Sequence, residues 1–407
     1  MGLVKSKYFL INYRPLVLAY AGGTETTLDL ELLRYPGERV IVLQFMSWWA
    51  GNETAMRHYH NYQKHLDEHG IEHHLMVNAP DENAMRKKLG VRGALCSKNL
   101  FCDEEIFKLS HTDKVYDAIY IAQLQDFKRH ALASDINKLV ILSYGGDLAS
   151  FCPEVSHAAQ NKQFLPQGHV ARAIQRSVCG LCLSEIEGQM NAAVEYLLCG
   201  IPVVTTPSRG GRDLFFDSRN SLTVPATARH VASATEHWKA TPTNPLEIRV
   251  NVLQALNHWR SVLCDYATEL INRYGGTVVD TTTLQSRLFA SSAISNQRKI
   301  EHQSVRDARL MAPFAIEDQS LRVKLKPDLA IGEKKKGGVI ICNTKGNTLQ
   351  LDAISTRILE TCNQSISIDE ILSRFRITYP DAPESMEQDI LDTLKTLFTV
   401  HFIDVQI

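Results

Sequence analysis

Several features that this chain of 407 residues lacks limit what it is expected to do. No apolar run approaches the roughly 20 residues of a membrane span, and the early stretch 8–20 is interrupted by Asn12, Arg14 and Pro15. Charge of one sign is not in excess either, because 44 Lys and Arg residues balance 45 Asp and Glu residues. We therefore expect a globular, cytoplasmic protein with no integral membrane segment and no nucleic-acid partner.

A disulfide framework and a metal centre are also not expected. The chain has nine cysteines, an odd number scattered through apparent core segments, which is typical of reduced thiols. Cys179 and Cys182 form a single Cys-x-x-Cys motif without a second pair, so burial in a strand is a better interpretation than zinc or redox chemistry. His65 and His69 stack at i,i+4 on a predicted helix, but no third ligand has a telling position, so we predict no metal site.

Alternating strands and helices predict an α/β architecture. A strand at 17–21, a Gly22-Gly23 loop, a helix at 24–33 and a strand at 40–45 are the opening pattern of a doubly wound domain. The pattern continues over the rest of the first two-thirds of the chain, with predicted helices at 54–69, 82–89, 170–176 and 245–274 and strands at 73–78, 93–97, 115–121, 139–144 and 201–206.

The most informative segment is a pair of glutamates followed by a glycine loop. Glu187 and Glu195 are eight residues apart, which on one helix is roughly 12 Å, so they are expected to contact different ends of an extended ligand. Gly188 permits close approach of a ligand, and a helix start there favours an anion such as a diphosphate. Gly210 and Gly211 follow the next predicted strand, at the edge where α/β sheets bind ligands.

Residues 184–217 resemble the donor-binding segment of glycosyltransferase family 4, whose members are retaining enzymes of the GT-B fold. The resemblance implies that Glu187 contacts the transferred sugar and that Glu195 holds the ribose of a nucleoside-diphosphate sugar. It also assigns Ser184, Gly188 and the Gly210-Gly211 loop to the donor site. The alternative is that the two glutamates are chance members of a solvated helix face. The family requires no metal or cofactor, and UDP or GDP is the expected nucleotide.

A second segment resembles the element of the same family whose arginine and lysine grip the diphosphate. Lys128 falls on the lysine, whereas Gln123 stands where arginine is usual. The resemblance therefore implies that one cationic contact is missing or is supplied by Arg129, Arg209 or Arg212. The alternative for Lys128 and Arg129 is a solvated basic helix start.

The Gly22-Gly23 loop resembles the family's amino-terminal glycine loop over the donor phosphates. A plain strand-to-helix connection is the alternative.

The last ninety residues or so form a separate module. Strands are predicted at 328–333, 339–344 and 348–352, with a hairpin turn at 345–347, and helices at 353–362, 368–379 and 384–402. The pattern resembles the PqqD-like winged helix that recognises leader peptides of ribosomally made precursors. This resemblance implies that a peptide adds a strand and lies against the last helix. The residues expected to contact it are Thr348, Leu349, Gln350, Leu351, Leu394 and Phe398.

Two alternatives remain open for this module. One is that the leucines of the last helix only fill the core of the module, and the other is that the winged helix binds DNA. The second is disfavoured because the helix carries Glu384, Glu387, Asp389 and Asp392 where phosphate contacts require cations.

The predicted fold class is α/β, with two Rossmann-like doubly wound domains of the GT-B type and a small α+β winged-helix domain. The predicted domains are 1–112 on the acceptor side, 113–290 for the nucleotide sugar, a linker at 291–317 and the PqqD-like domain at 318–407. The predicted function is a retaining, metal-independent hexosyltransferase-like enzyme whose acceptor is a peptide recruited by the last domain. The alternatives are a catalytically silent GT-B-fold binding protein and a transferase of cell-surface polysaccharide with the last domain as an interaction module.

Overall fold

The computed structural model describes residues 8–12, 15–22, 40–274, 280–289, 322–327, 329–331, 339–343, 348–383, 385–399 and 402–406. The chain divides into two compact units, Met1–His302 and Gln303–Ile407. Gly23, the predicted helix at 24–33, the predicted linker at 291–317 and the predicted turn at 345–347 lie outside the described residues. The domain boundaries proposed at 112 and 290 remain predictions.

The first sheet of the larger unit uses the amino-terminal strands. In spatial order these are β1 Tyr8–Asn12, β2 Leu16–Gly22, β3 Val40–Met46, β4 Ile71–Val77 and β5 Gly93–Leu95. β1 is antiparallel to β2, and the other neighbours are parallel. Every residue of β3 and β4 is buried, as expected for parallel strands covered on both faces. The four predicted strands of this region are confirmed, whereas β1 was not predicted.

Described helices of the larger unit connect and cover the sheets. They are α1 Glu53–Asp67, α2 Pro80–Lys88, α3 Leu148–Phe151, α4 Gln167–Gln175, α5 Asn191–Leu198, α6 Ala228–Ala240, α7 Pro245–Tyr274 and α8 Thr281–Phe289. Asn52 caps α1 by accepting a hydrogen bond from the Ala55 amide. Met56 and Tyr59 of α1 then pack with Val77 on one face of the first sheet.

A second sheet has the strand order of a dinucleotide-binding fold. In spatial order it contains β13 Ser221–Thr223, β11 Val203–Thr205, β9 Ser177–Cys182, β6 Tyr116–Ile121, β7 Leu139–Leu142 and β8 Ala159–Gln160, all parallel. The chain starts at β6 in the centre, winds outward to β8, and then returns to β9 on the other side of β6. This is the doubly wound order, and its switch point lies between β6 and β9.

The long helix α7 joins the cores of the two sheets. Ile248, Val252 and Leu256 in its first half are buried in the core of the second sheet. Leu263 and Ile271 in its second half are buried in the core of the first sheet. Because one 30-residue helix contributes to both cores, it fixes the two sheets within the same compact unit.

The smaller unit is an α+β domain with its own core. Its helices are α9 Ala353–Thr361, α10 Ile368–Thr378 and α11 Met386–Thr399. Its strands are β14 Arg322–Leu325, β15 Leu329–Ile331, β16 Val339–Asn343, β17 Thr348–Leu351, β18 Ile366–Ser367 and β19 Ile403–Gln406. The antiparallel sheet β15-β16-β17 has β17 at one edge. The predicted fold class, α/β with parallel sheets followed by a small α+β domain, is confirmed.

Candidate active site

A polar cavity of the larger unit opens at the switch point of the second sheet. It has a volume of about 520 Å³ and receives residues that directly follow β3, β6 and β7. The side chains that line it include Ser47, Trp48, Lys98, Gln123, Phe127, Lys128, Tyr144, Phe164, Glu187, Gln189, Asn191 and Glu195. A crevice at this point is where doubly wound sheets bind nucleotides. The structure therefore brings Gln123, Lys128, Glu187 and Glu195, predicted from separate segments, to one cavity.

Lys128 and Glu187 form a buried ion pair. The Lys128 Nζ atom donates to a Glu187 carboxylate oxygen, and both side chains are less than a tenth exposed. The Lys128 ammonium also lies 5.1 Å from the centre of the Phe127 ring. The two residues that the sequence assigned to catalysis are thus direct partners at one end of the cavity.

Local backbone geometry fixes this pair. The carbonyl of Lys128 accepts a hydrogen bond of 2.6 Å from the Tyr120 hydroxyl. Arg129 follows with a φ of 52°, which reverses the chain after the short 3-10 turn Asp126–Lys128. Glu187 lies in β10 Ile186–Glu187, which pairs in parallel with β12 Arg209–Gly210. Strand pairing, and not a helix, therefore positions the Glu187 carboxylate.

The helix prediction for Glu187 is wrong. α5 begins at Asn191, so Glu187 precedes it and only Glu195 lies on it. The prediction placed the helix start at Glu187 and Gly188, whereas Glu187 belongs to a two-residue strand that pairs with Gly210. Met190, at the amino-terminal cap, makes no side-chain capping bond, and Asn191 and Ala192 line the cavity. The positive end of α5 is therefore directed into the cavity, as predicted, but from three residues further along the chain.

Three of the predicted donor contacts are engaged by the protein itself. Arg129 donates to the Leu183 carbonyl at 2.6 Å and to the Thr206 hydroxyl at 2.8 Å. Arg212 is fully buried and donates to the Ser184 carbonyl, at 2.7 Å, and to the Ser184 hydroxyl. The structure thus uses Ser184, Arg129 and Arg212 to tie together the ends of β9 and β11. The signal was ambiguous because a cation that binds carbonyls and a cation that binds phosphate look alike in sequence.

At the predicted glycines, backbone segments lie so close together that no side chain would fit. A Cβ atom on Gly188 would lie 2.7 Å from the Ser47 carbonyl oxygen, and one on Gly210 would lie 1.7 Å from the Glu187 carbonyl oxygen. A Cβ atom on Gly211 would lie 2.4 Å from the Asn78 carbonyl oxygen. Ser47 and Asn78 directly follow the first-sheet strands β3 and β4. These glycines therefore let the two sheets meet, while Gly22 is the last residue of β2 and its loop lies beyond the described residues.

Sequence reasoning missed an aromatic platform in the cavity. The rings of Tyr144 and Phe164 stack with centres 6.1 Å apart and an angle of 17° between their planes. Both side chains line the cavity and are exposed, Tyr144 by 69% and Phe164 by 65%. Partial burial and the charge of Glu195 raise the pKa of Tyr144. The Gly145-Gly146 turn after β7 was a detectable signal, because it marks a strand end at the ligand-binding edge of the sheet.

Lys98 was also missed. It lies on the short turn Lys98–Phe101 after β5, in the cavity wall opposite the second sheet. Burial lowers the pKa of Lys98, whereas the nearby charges of Cys102 and Glu187 raise it. The available signal was a lysine directly after the predicted strand 93–97.

The peptide-binding residues of the smaller unit are only partly described. Leu351 and Leu394 are buried members of its core, and for Leu394 this agrees with the alternative that the leucines of the last helix fill the core. The side chains of Thr348, Leu349, Gln350 and Phe398 lie outside the described residues. A cavity of about 690 Å³ opens instead between α9, the end of α10 and α11, beside Asp352 at the end of β17.

One group with metal-ligand geometry is present among the described residues. His65, Glu68 and His69 at the end of α1 place their ligand atoms within 4.8 Å of one another. The acidic third ligand that the sequence interpretation did not recognise is Glu68, one turn after His65. This group is on the outer surface of α1 and takes no part in the cavity at the switch point.

Comparison with known proteins adds a family match and similarities to solved structures. The family model described as coenzyme PQQ synthesis protein D (PqqD) matches residues 337–403. The PqqD-like character predicted for the last domain is therefore confirmed. No curated protein is matched by this chain. Within the described residues, no helix combines the length and the apolarity that a membrane crossing needs.

Several solved structures are similar to parts of this chain at low identity. HepE from Anabaena in complex with UDP has 11% identity and a TM-score of 0.43 over 64% of this chain and 72% of that chain. Sucrose-phosphate synthase from Thermosynechococcus elongatus has 14% identity and a TM-score of 0.45 over 60% and 69%. The C-terminal domain of a glycosyl transferase group 1 family protein, LpcC from Francisella tularensis, has 12% identity and a TM-score of 0.28 over 40% and 97%.

Proposed function

We propose that this protein is a retaining glycosyltransferase that moves a sugar from a nucleoside-diphosphate sugar to a peptide acceptor. The observation that carries the proposal is the cavity at the switch point, which contains a buried Lys128–Glu187 pair, the start of α5 and an exposed aromatic platform. These three features suit a sugar, a diphosphate and a base, respectively. The retaining outcome rests on the resemblance of residues 184–217 to family 4.

We place the base and the ribose at the part of the cavity that Tyr144 and Phe164 line. Tyr144 and Phe164 present ring surface to the cavity, and stacking on aromatic rings accepts any nucleobase because every base has a π-face. Glu195 lies close enough to Tyr144 for its charge to affect that hydroxyl, so its carboxylate is suited to accept hydrogen bonds from the ribose. We therefore expect weak discrimination between UDP and GDP donors.

The sugar is placed at the Lys128–Glu187 end. Glu187 is oriented by β10 and accepts from Lys128, which leaves further acceptor capacity for sugar hydroxyls. As the glycosidic bond breaks, charge develops on the leaving diphosphate. The amide groups at the start of α5 are preorganised to stabilise that charge. This arrangement gives the reaction cationic and amide donors from the chain itself.

We assign acceptor recruitment to the smaller unit. Its PqqD match and the edge strand β17 support addition of a peptide strand, and the cavity beside α9 is suited to an apolar side chain of that peptide. Ile354, which is 57% exposed at the rim of this cavity, is the accessible apolar contact.

The donor half of the proposal is tested with a panel of UDP-, GDP- and ADP-sugars by measuring nucleotide release. Wild type should release nucleotide from at least one donor, and Glu187→Ala should reduce release at least 100-fold, because it loses an interaction with the reacting sugar. Lys87→Ala, an exposed residue of α2, is the control. Absence of binding and turnover with every donor would instead favour a silent binding protein, and the anomeric configuration of a product decides whether the reaction retains.

The acceptor half is tested with synthetic peptides that correspond to short precursors encoded beside the gene. Fluorescence anisotropy should show binding to the full chain, and Ile354→Asp should weaken it about tenfold by placing a charge at an apolar contact. Ser373→Asp, on the exposed side of α10, is the matched control. Equal affinities of wild type and Ile354→Asp would exclude this cavity from the peptide site.

A further inference from the structure

The Lys128 ammonium is already paired with a carboxylate of the protein. Lys128 is the cation that the sequence pattern assigned to the donor diphosphate, but its ammonium donates to the buried carboxylate of Glu187. At Gln123, where a second cation is usual in the resembling family, the side chain is uncharged. Arg129 and Arg212 donate to carbonyl and hydroxyl oxygens of the β9 and β11 ends. A diphosphate in this cavity therefore needs another cation.

Lys98 is a further cation in this cavity. It lines the same cavity as Lys128 and Glu187, and it enters from the first sheet, not the second. No hydrogen bond or ion pair joins its ammonium to any residue within the described part of the chain, although Glu187 is near enough to influence it electrostatically. An ammonium that is partly removed from water and lacks an anionic partner is unfavourable until an anion binds.

The backbone of Lys98 is fixed against the donor segment. The next residue, Asn99, donates two hydrogen bonds to this segment. Its backbone N–H donates to the Gln189 side chain at 2.8 Å, and its side-chain amide donates to the Met190 carbonyl at 3.1 Å. Arg260 of α7 holds the same turn through the Leu100 carbonyl at 3.1 Å. These contacts join the Lys98 turn to the residues that immediately precede α5. Lys98 is thus held beside the helix start that faces the diphosphate.

We propose that Lys98, supplied by the first sheet, is the residue that binds the donor diphosphate in place of the cation absent at Gln123. The inference rests on the proposed function and deepens it. A lysine acts here as a point charge toward phosphate oxygens, and the start of α5 provides the adjacent amide donors. A bound donor then contacts residues that follow strands of both sheets. Lys98 follows β5 of the first sheet, and α5 lies between β9 and β11 of the second sheet.

The test compares nucleotides with nucleosides. Affinities of wild type, Lys98→Met, Lys98→Arg and the control Lys87→Met for UDP, uridine, GDP and guanosine are measured by isothermal titration calorimetry with the full chain. Lys98→Met should lower diphosphate affinity 10- to 100-fold and leave nucleoside affinity unchanged, while Lys98→Arg stays within a few fold of wild type. The melting temperature of ligand-free Lys98→Met should be equal or higher, because an unpaired ammonium has been removed.

The possible failures are distinguishable. Equal diphosphate affinity of wild type and Lys98→Met would overturn the role of Lys98 while leaving the proposed function intact. A wild-type protein that binds none of the four ligands would overturn the proposed function itself. If Lys98→Met did not fold, Lys98→Gln would take its place, with the same expected loss for UDP and none for uridine.

Discussion

At the residue scale, the candidate site depends on a glycine, because position 188 has no room for a side chain. Gly188 lies against the Ser47 carbonyl and the Trp48 Cα atom, each 2.7 Å from where a Cβ atom would stand. These neighbours are backbone, so they cannot move aside by changing a rotamer. Trp48 and Ser47 themselves line the cavity. The glycine therefore sets the distance between the first-sheet wall and Glu187.

Gly188→Ala is expected to abolish nucleotide release while the protein remains folded, because the cavity wall must shift by several tenths of an ångström. The control is Gly168→Ala in α4, where a Cβ atom meets nothing within 4 Å and where alanine should stabilise the helix by about 1 kcal/mol. Donor turnover and urea unfolding measure both effects. Full activity of Gly188→Ala would show that the close approach is unimportant.

The buried Lys128–Glu187 pair gives a second prediction at this scale. Lys128→Met leaves an uncompensated carboxylate that is less than a tenth exposed, so the free energy of unfolding should fall by about 3 kcal/mol. The double change Lys128→Met with Glu187→Met should recover most of this loss, because no charge remains buried. Urea unfolding of the four proteins of this cycle gives the coupling energy. Additive losses would mean that the two side chains are independent.

At the scale of elements, the carboxyl ends of strands are joined by buried polar groups. Glu82 of α2 accepts from the amides of Ala50, Asn78 and Ala79 at 2.6 to 2.8 Å, which links the chain after β3 to the chain after β4. Arg212 performs the same task between β9 and β11. Because loops at strand ends cannot satisfy their own amides and carbonyls, one buried charged group that bonds several of them stabilises the edge that carries the site.

Strand β4 carries a pH-sensitive element. Burial lowers the pKa of His73 to about 3, and its ring nitrogens lie 2.8 Å from the Gln44 oxygen and 3.3 Å from the Gln63 nitrogen. Burial also lowers the pKa of His74, and burial together with the charge of Lys128 lowers that of His130 to about 4. The unfolded chain therefore binds more protons than the folded chain below about pH 6.5.

Stability is thus expected to be full above pH 6.5 and to fall as the pH decreases toward the folded-state pKa values. Each neutral histidine contributes a slope of about 1.4 kcal/mol per pH unit in that window. His73→Gln should reduce the slope between pH 6 and pH 5 by about one such contribution, whereas His111→Gln, an exposed control, should preserve it. Urea unfolding at several pH values measures the slope, and an unchanged slope in His73→Gln would contradict the assignment.

At the scale of the whole molecule, the chain contains separate hydrophobic cores. The core of the smaller unit is built from residues between Val323 and Ile403, and α7 contributes to two of the cores of the larger unit. Cooperative unfolding follows shared cores, so the larger unit should unfold as one body even though it contains two sheets.

Calorimetry of the full chain is therefore expected to show two transitions. Ile371→Ala, in the smaller core, should lower only one of them, because it removes about 2 to 5 kcal/mol of packing there. Leu263→Ala, where α7 meets the first sheet, should lower only the other. A single transition that moves with both substitutions would refute separate cores.

The extent to which the sequence predicted this molecule varies with the range of the interactions. The strands β3 and β4, the helix α7 and the helices of the smaller unit were predicted because apolar periodicity is local. The prediction of a helix start at Glu187 was wrong. The two-residue strands β10 and β12 form only by pairing with each other, and a local sequence pattern does not reveal such pairing. Strand β1 was missed for a similar reason, since its partner β2 decides its state.

The amino-acid sequence by itself determined the α/β class, the PqqD-like last domain and the identity of Lys128, Glu187 and Glu195 as candidates, because each depends on patterns within a short segment. Only the tertiary structure decided which charges are available to a ligand. Arg129 and Arg212 bond the protein, Lys128 pairs with Glu187, and Lys98 from a distant segment enters the cavity. The physical reason is that the function of a charge depends on its neighbours in space, which the order of residues does not state.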